Sequence, residues 1–155
     1  SEVAERIATM VKAARLLNLP IIVTEQYPKG LGHTAKEILE VLPDSIEIIE
    51  KTTFSSCGVQ PFQSQLNANG AKQVLVCGIE AHICVNQTVH DLIAAGFQVH
   101  LLTDCITSRR KKNRKIALRK MELAGAIPSS IEMAIFEMMR DAKHEQFKAI
   151  QGLVK

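Results

Sequence analysis

Apolar positions recur along the chain first with a helical period and then in short unbroken runs, and this alternation repeats. Val3, Ile7, Met10, Ala14 and Leu17 follow one another at spacings of four and three, which puts them on one side of a helix. Asn18 to Pro20 ends that helix, because proline cannot continue it. Ile21 to Thr24 comes next, a short β-branched run bounded by the turn-rich Tyr27 to Gly32, and it predicts a buried strand.

Glycine punctuates three further repeats of helix then strand. A helix near Val59 to Asn69 stops at Gly70 ahead of a strand over Gln73 to Cys77. A second carries Val85, Val89 and Leu92 on one face and stops at Gly96 ahead of Gln98 to Leu102. A third carries Ala117, Met121 and Ala124 and stops at Gly125 ahead of Ala126 and Ile127. Ile46 to Glu50 adds a strand, and Glu137 to Val154 reads as a helical tail. Strands separated by helices in this order predict the α/β class, a three-layer α/β/α arrangement around a mainly parallel sheet.

Composition narrows the function classes. At 155 residues the chain suits one domain over 1–155, and it holds no linker, repeat or low-complexity segment. A formal net charge of +3 is too small to make the whole molecule a polyanion binder. The four cysteines, Cys57, Cys77, Cys84 and Cys105, form no CxxC and no metal-type spacing with histidine, which argues against a disulfide scaffold or a zinc site. No apolar run approaches the ~18 residues of a membrane span. A reducing, cytoplasmic setting is the expectation, with organellar targeting ahead of Ser1 left open.

In open parallel sheets ligands bind beyond the carboxyl ends of the strands, where helix N-termini point free N–H groups into the crevice. That rule selects Thr24 to Tyr27, Lys51 to Phe54, Gly78 to Cys84 and Asp104 to Ser108. Two of these segments contain a reactive side chain. Cys84 begins the helix after Gly78, where the helix dipole favours a thiolate; the alternative is a small buried hydrophobe. Lys51 ends an apolar strand, where its ammonium would favour a nearby thiolate; the alternative is an exposed strand-end lysine. Spacing alone does not pair the two.

The segment Gly78-Ile79-Glu80-Ala81-His82-Ile83-Cys84-Val85 resembles the nucleophile motif of isochorismatase-like hydrolases, and Lys51-Thr52-Thr53-Phe54-Ser55 resembles the family's lysine motif. Thr24 to Gly32 is similar to a loop of isochorismatase domain-containing proteins, and Gln146-Phe147-Lys148 with Ile150-Gln151 to their C-terminal helix. The resemblance implies a Rossmann-like fold and an Asp, Lys and Cys triad. Its Asp ends a first, central strand that this sequence lacks, since Ser1 opens the helix after it.

By that resemblance Cys84 attacks an amide carbonyl of a small molecule and forms a thioester. Lys51 stabilises the thiolate, and the backbone N–H groups of Glu80 and Cys84 hold the oxyanion. It also implies a cis peptide between Ile79 and Glu80, and Glu25, Tyr27, Phe54 and His82 are candidates to line the pocket, with His82 reading equally as a histidine bonded to backbone. Family members that cleave an enol ether lack the cysteine, which favours amide hydrolysis here. Nicotinamidase-like members bind a metal through an Asp and histidines; the corresponding loop here offers only His33, so neither metal nor cofactor is expected. The family often forms symmetric assemblies, and a homo-oligomer is expected.

Two other function classes compete. Arg109 to Lys115 is a basic run that would suit RNA or another polyanion, but it lacks interleaved aromatics, and a solvated helix face is the favoured reading. The absent Asp also permits a non-catalytic interaction protein of the same fold.

Overall fold

The computed structural model describes residues 1–155. The amphipathic start of the chain forms α1, Glu2–Leu16, capped by the Ser1 hydroxyl, which accepts from the Ala4 N–H. The other elements are β1 Val23–Gln26, α2 Pro28–Leu31, α3 Lys36–Leu39, β2 Ile48–Lys51, α4 Gln60–Ala68, β3 Gln73–Gly78, α5 Asn86–Ala94, β4 Gln98–Ile106, α6 Lys111–Leu123, β5 Ile127–Ser129, α7 Ile131–Met139 and α8 Phe147–Val154. A 3-10 turn spans Ser56–Gly58, and a π-helical turn, Ala81–Val85, leads into α5.

All strand pairs are parallel. They form two hydrogen-bonded sets, β1-β2 and β3-β4-β5. β1 and β3 therefore each present one edge with no strand partner. Helices cover both faces, as the alternation along β3 requires. Val74 and Val76 pack with Phe62, Leu66, Val85, Val89, Leu92, Ala117 and Met121 from α4, α5 and α6 and the turn before α5. Leu75 and Cys77 pack with Met10, Ala13, Ala14, Ile131, Ile135 and Ile150 from α1, α7 and α8. Each fully buried Leu or Ile side chain contributes about 1.5 to 3 kcal/mol to holding the layers together.

β4 shows the same alternation with an interruption. Val99 and Leu101 face the first cluster and Leu102 the second, yet Cys105 faces the second and Ile106 the first. The pairing shifts register between Val76 and Gly78 for the same reason. Where α5 ends, Gly96 adopts φ 93°, a conformation a side chain resists, and the chain turns into β4.

Several elements differ from the sequence expectation, among them the strand expected over Ile46 to Glu50, which runs Ile48–Lys51, and the unexpected helix α3. β1 begins and ends two residues later than Ile21 to Thr24, because pairing of Val23 with Ile48 through Gln26 with Lys51 sets its limits, not hydrophobicity. The turn-rich Tyr27 to Gly32 contains the short helix α2, entered through Tyr27 at φ 37°. β4 runs on to Ile106, so Asp104 lies within the strand and not beyond it. The tail is two helices, since Arg140 takes φ 68° and breaks the path between α7 and α8.

Candidate active site

β1 and β2 pair and end with Gln26 and Lys51 in register, and the turn that follows Gly78 at the end of β3 brings the Cys84 thiol to Gln26. In a parallel pair, residues in register face the same way, so Gln26 and Lys51, which are paired, share one side of the sheet. Glu25, one residue earlier, faces the other.

Lys51 is buried, with 5% of its surface exposed. Its ammonium donates to the Thr53 carbonyl at 3.0 Å, to the Phe54 carbonyl at 2.7 Å and to Gln26 Oε1. All three protons are thus engaged. Burial pushes this lysine below its ordinary value, while the Cys84 sulfur beside it pulls the other way. The loop that supplies the carbonyls is itself pinned. Thr24 Oγ1 and Ser56 Oγ are 3.2 Å apart, and the Ser56 N–H donates to Thr88 Oγ1 of α5 at 2.9 Å.

Cys84 lies in the π-helical turn, within the first turn of the helical stretch that α5 continues. Its thiol faces Gln26 Oε1 at 3.6 Å. Gln26 Nε2 donates to the Thr52 carbonyl at 2.7 Å, which fixes which end of the amide points at Lys51 and Cys84. One oxygen therefore stands between the ammonium and the sulfur.

Gly78 takes φ 132°, and the Ile79–Glu80 peptide is cis. The Ala81 N–H donates to the Thr107 carbonyl, whereas the Glu80 N–H meets no acceptor in the protein. The Glu80 carboxylate accepts from both the N–H and Nε of Arg109, and His82 Nδ1 lies 2.9 Å from Ser108 Oγ.

The expected pocket residues separate. Lys51, Cys84 and Glu80 gather at the carboxyl edge, with His82 in the same turn. Tyr27 and Phe54 stand at the ends of β1 and β2, each about half exposed. Glu25 does not join them: its carboxylate accepts from the Thr34 N–H and Oγ1, each at 2.7 Å, and His33 Nδ1 lies 3.2 Å away. Glu25 and His33 brace a loop, and no group of three or more His, Cys, Asp or Glu side chains is arranged to hold a metal ion.

Of the remaining cysteines, Cys77 is pushed up to about 11 by burial and the Asp104 carboxylate. Cys105, fully buried, is pushed up further by the same causes with Cys77 added, and Cys57 is raised by burial.

The basic run is not uniformly solvated. Arg110, Lys111, Lys112 and Lys115 are exposed, but Arg114 bonds the Ile106 and Thr103 carbonyls at the end of β4, and Arg109 pairs with Glu80. The residue that sequence reasoning missed is Gln26. Its signal was the alternation along β1, legible only once the strand's register with Lys51 is known.

A cavity of about 700 Å³ lies at the opposite edge, between Asn18, Pro20, Pro43, Glu47 and Gln65. It precedes β1 and β2, and neither a cysteine nor a histidine lines it, so the carboxyl edge remains the candidate for chemistry.

The isochorismatase domain family matches residues 1–133. The secreted isochorismatase effector Isc1 of Phytophthora sojae is 42% identical over 151 residues, 95% of this chain and 71% of that protein. The structure of the MAR1 ribonuclease of Caenorhabditis elegans superposes with a TM-score of 0.94 at 40% identity, covering 99% of this chain and 78% of that one. YcaC of Pseudomonas aeruginosa, whose structure carries covalent acrylamide, gives 0.90 at 26% identity over 98% and 77%.

Proposed function

The chain belongs to the isochorismatase family, and from that premise we propose that it is a hydrolase that opens the C–N bond of a small amide through a thioester on Cys84. The observation that carries this reading is the convergence of the Cys84 thiol and the buried Lys51 ammonium on one side-chain oxygen at the carboxyl edge of the sheet. A buried cation beside a thiol at a helix start favours the nucleophilic thiolate. Covalent acrylamide on YcaC, a relative of this fold, fits a site that admits small amides to a nucleophile.

In this mechanism the Cys84 sulfur attacks the carbonyl carbon and the C=O electron pair moves onto oxygen, which the free Glu80 N–H meets. The pair returns, the C–N bond breaks, and the amine leaves with the proton taken from the thiol. Water then adds to the thioester, releasing the acid and restoring the thiol. Gln26 cannot hold the thiol proton, because an amide oxygen is not basic at neutral pH. We assign that role to the Asp that the family resemblance implies, a residue that these 155 residues do not include.

The test is ammonia release from a panel of small primary amides, with hydroxylamine added to trap the thioester as a hydroxamate. Turnover by the protein, its loss in Cys84→Ala, and a fall of about a hundredfold or more in Lys51→Met are expected. Undiminished turnover in Cys84→Ala overturns the reading; no turnover in any form favours the non-catalytic protein.

A second reading rests on the basic run and on the similarity to a protein described as a ribonuclease. Arg109 ties that run to Glu80 at the site edge, where it would meet a phosphate backbone. Binding of single-stranded RNA that weakens steeply with salt is its test, and no measurable affinity at low salt removes it.

A further inference from the structure

Gln26 Oε1 has two lone pairs, and in the resting site both are used. One accepts from Lys51 and the other faces the Cys84 thiol at 3.6 Å. The side chain cannot easily turn away, because Nε2 is held on the Thr52 carbonyl at 2.7 Å and a rotation of the amide would point N–H groups at the ammonium. Once Cys84 ionises or forms a bond to carbon it has no proton to donate. The second lone pair of this half-buried side chain then faces sulfur without a donor, an acceptor left unmatched on the side turned toward Cys84.

The substrate brings the missing donor. In an amide attacked by Cys84 the nitrogen is bonded to the carbon that sulfur approaches, within a few ångströms of it, and the oxygen points elsewhere, toward Glu80. We propose that Gln26 Oε1 accepts a hydrogen bond from the N–H of the scissile amide and thereby makes the site select amides over esters. The inference rests on the reading of Cys84 as nucleophile and adds the group that reads the leaving nitrogen. An ester presents a lone pair where the amide presents a donor. It therefore sets two acceptors against each other, and rejection of such a mismatch is stronger than the gain from one matched bond.

The probe pair is N-methyl-2-chloroacetamide and methyl chloroacetate, which differ in size by little and in one N–H against one oxygen. Alkylation of Cys84 by each, in which sulfur bonds the methylene carbon and chloride leaves, so that the probe's nitrogen or ester oxygen stands two bonds from the attacked carbon, is followed by peptide mapping, and the ratio of rates is divided by the ratio measured on glutathione. Both reagents meet the same thiolate, so any change in thiolate fraction cancels. The protein is expected to prefer the amide by about fivefold or more over glutathione, the worth of roughly one hydrogen bond. Gln26→Met, close in volume but without the acceptor, should bring the ratio to that of glutathione, and Gln26→Glu, which keeps an oxygen in place, should retain the preference. Gln26→Asn withdraws the oxygen by one methylene and serves where Met disturbs folding.

A wild-type ratio equal to that of glutathione, or a preference undiminished in both Gln26→Met and Gln26→Asn, overturns the proposal while leaving Cys84 as nucleophile. Failure of the amide reagent to modify Cys84 ahead of Cys57 overturns both readings.

Discussion

Arg109 gives two hydrogen bonds to one oxygen of Glu80, from its backbone N–H at 3.1 Å and from Nε at 2.8 Å. Burial would raise the Glu80 carboxyl, but these bonds and the guanidinium charge hold it below its ordinary value. The turn after β3, which carries the free Glu80 N–H, is thereby tied to the chain leaving β4. Because the Arg109 side chain is 82% exposed, Arg109→Ala should change stability by no more than about 1 kcal/mol. Cys84 alkylation or amide turnover should fall severalfold in the same variant. A thermal melt and a rate on one preparation separate the two, and an unchanged rate would remove the turn from the list of groups the pair positions.

The four thiols should react in a definite order. Cys77 and Cys105 are raised by burial and neighbouring charge, Cys57 by burial, and all three also lie against the core. Cys84 alone sits beside a buried ammonium. Brief iodoacetamide treatment near neutral pH should label Cys84 at least about tenfold faster than the others. Cys77, at about 11, should stay nearly silent until strongly alkaline pH. Peptide mapping at several pH values is the measurement, and equal labelling in the folded protein would remove Cys84's special status.

Glu25 should act on stability, with a definite pH sign. Burial works against its charge, but the bonds from Thr34 and the contact with His33 outweigh this, so its folded value is lowered. A carboxylate lowered in the folded state contributes stability above its unfolded value, near 4.5, and that contribution fades as pH falls through the folded value. Glu25→Gln should lower stability by about 1 to 2 kcal/mol at pH 7, and the deficit should shrink in acid. Urea melts of both forms from neutral to acid pH give the answer; a gap that widens in acid would reverse the sign.

Two cations two positions apart, Lys112 and Arg114, should differ in their effect on stability. Arg114 donates to the Ile106 carbonyl at 2.8 Å and the Thr103 carbonyl at 2.6 Å, closing the end of β4 against α6. Lys112 points into solvent. Arg114→Ala should lower stability by about 1.5 to 3 kcal/mol, and Lys112→Ala by no more than about 0.5. Denaturant midpoints decide it, and equal effects would mean that the whole run is a solvated face.

Much of the fold was legible because it is set by neighbours in the chain. The periodicity of Val3 to Leu17 marks a helix wherever that helix packs, and the stops at Gly70, Gly96 and Gly125 require only a local positive φ, which all three glycines adopt. The motifs around Lys51 and Cys84 stand at the ends of β2 and β3, as the run of strands and helices placed them.

What the chain could not declare was anything that depends on strand register or on partners distant in sequence. Nothing local distinguishes Glu25 from Gln26. A shift of one residue exchanges the faces of a strand, so only the pairing of Gln26 with Lys51 decides which side chain reaches the sulfur and which braces a loop. Arg114 looks like its neighbours until the end of β4 offers it two carbonyls. The sequence by itself determined the order of elements and the reactive residue types, because these follow from local backbone preference and side-chain chemistry. The tertiary structure alone decided which polar side chains meet, because such contacts are made across 25 to 58 residues of chain and depend on how two strands and a helix turn are set against one another.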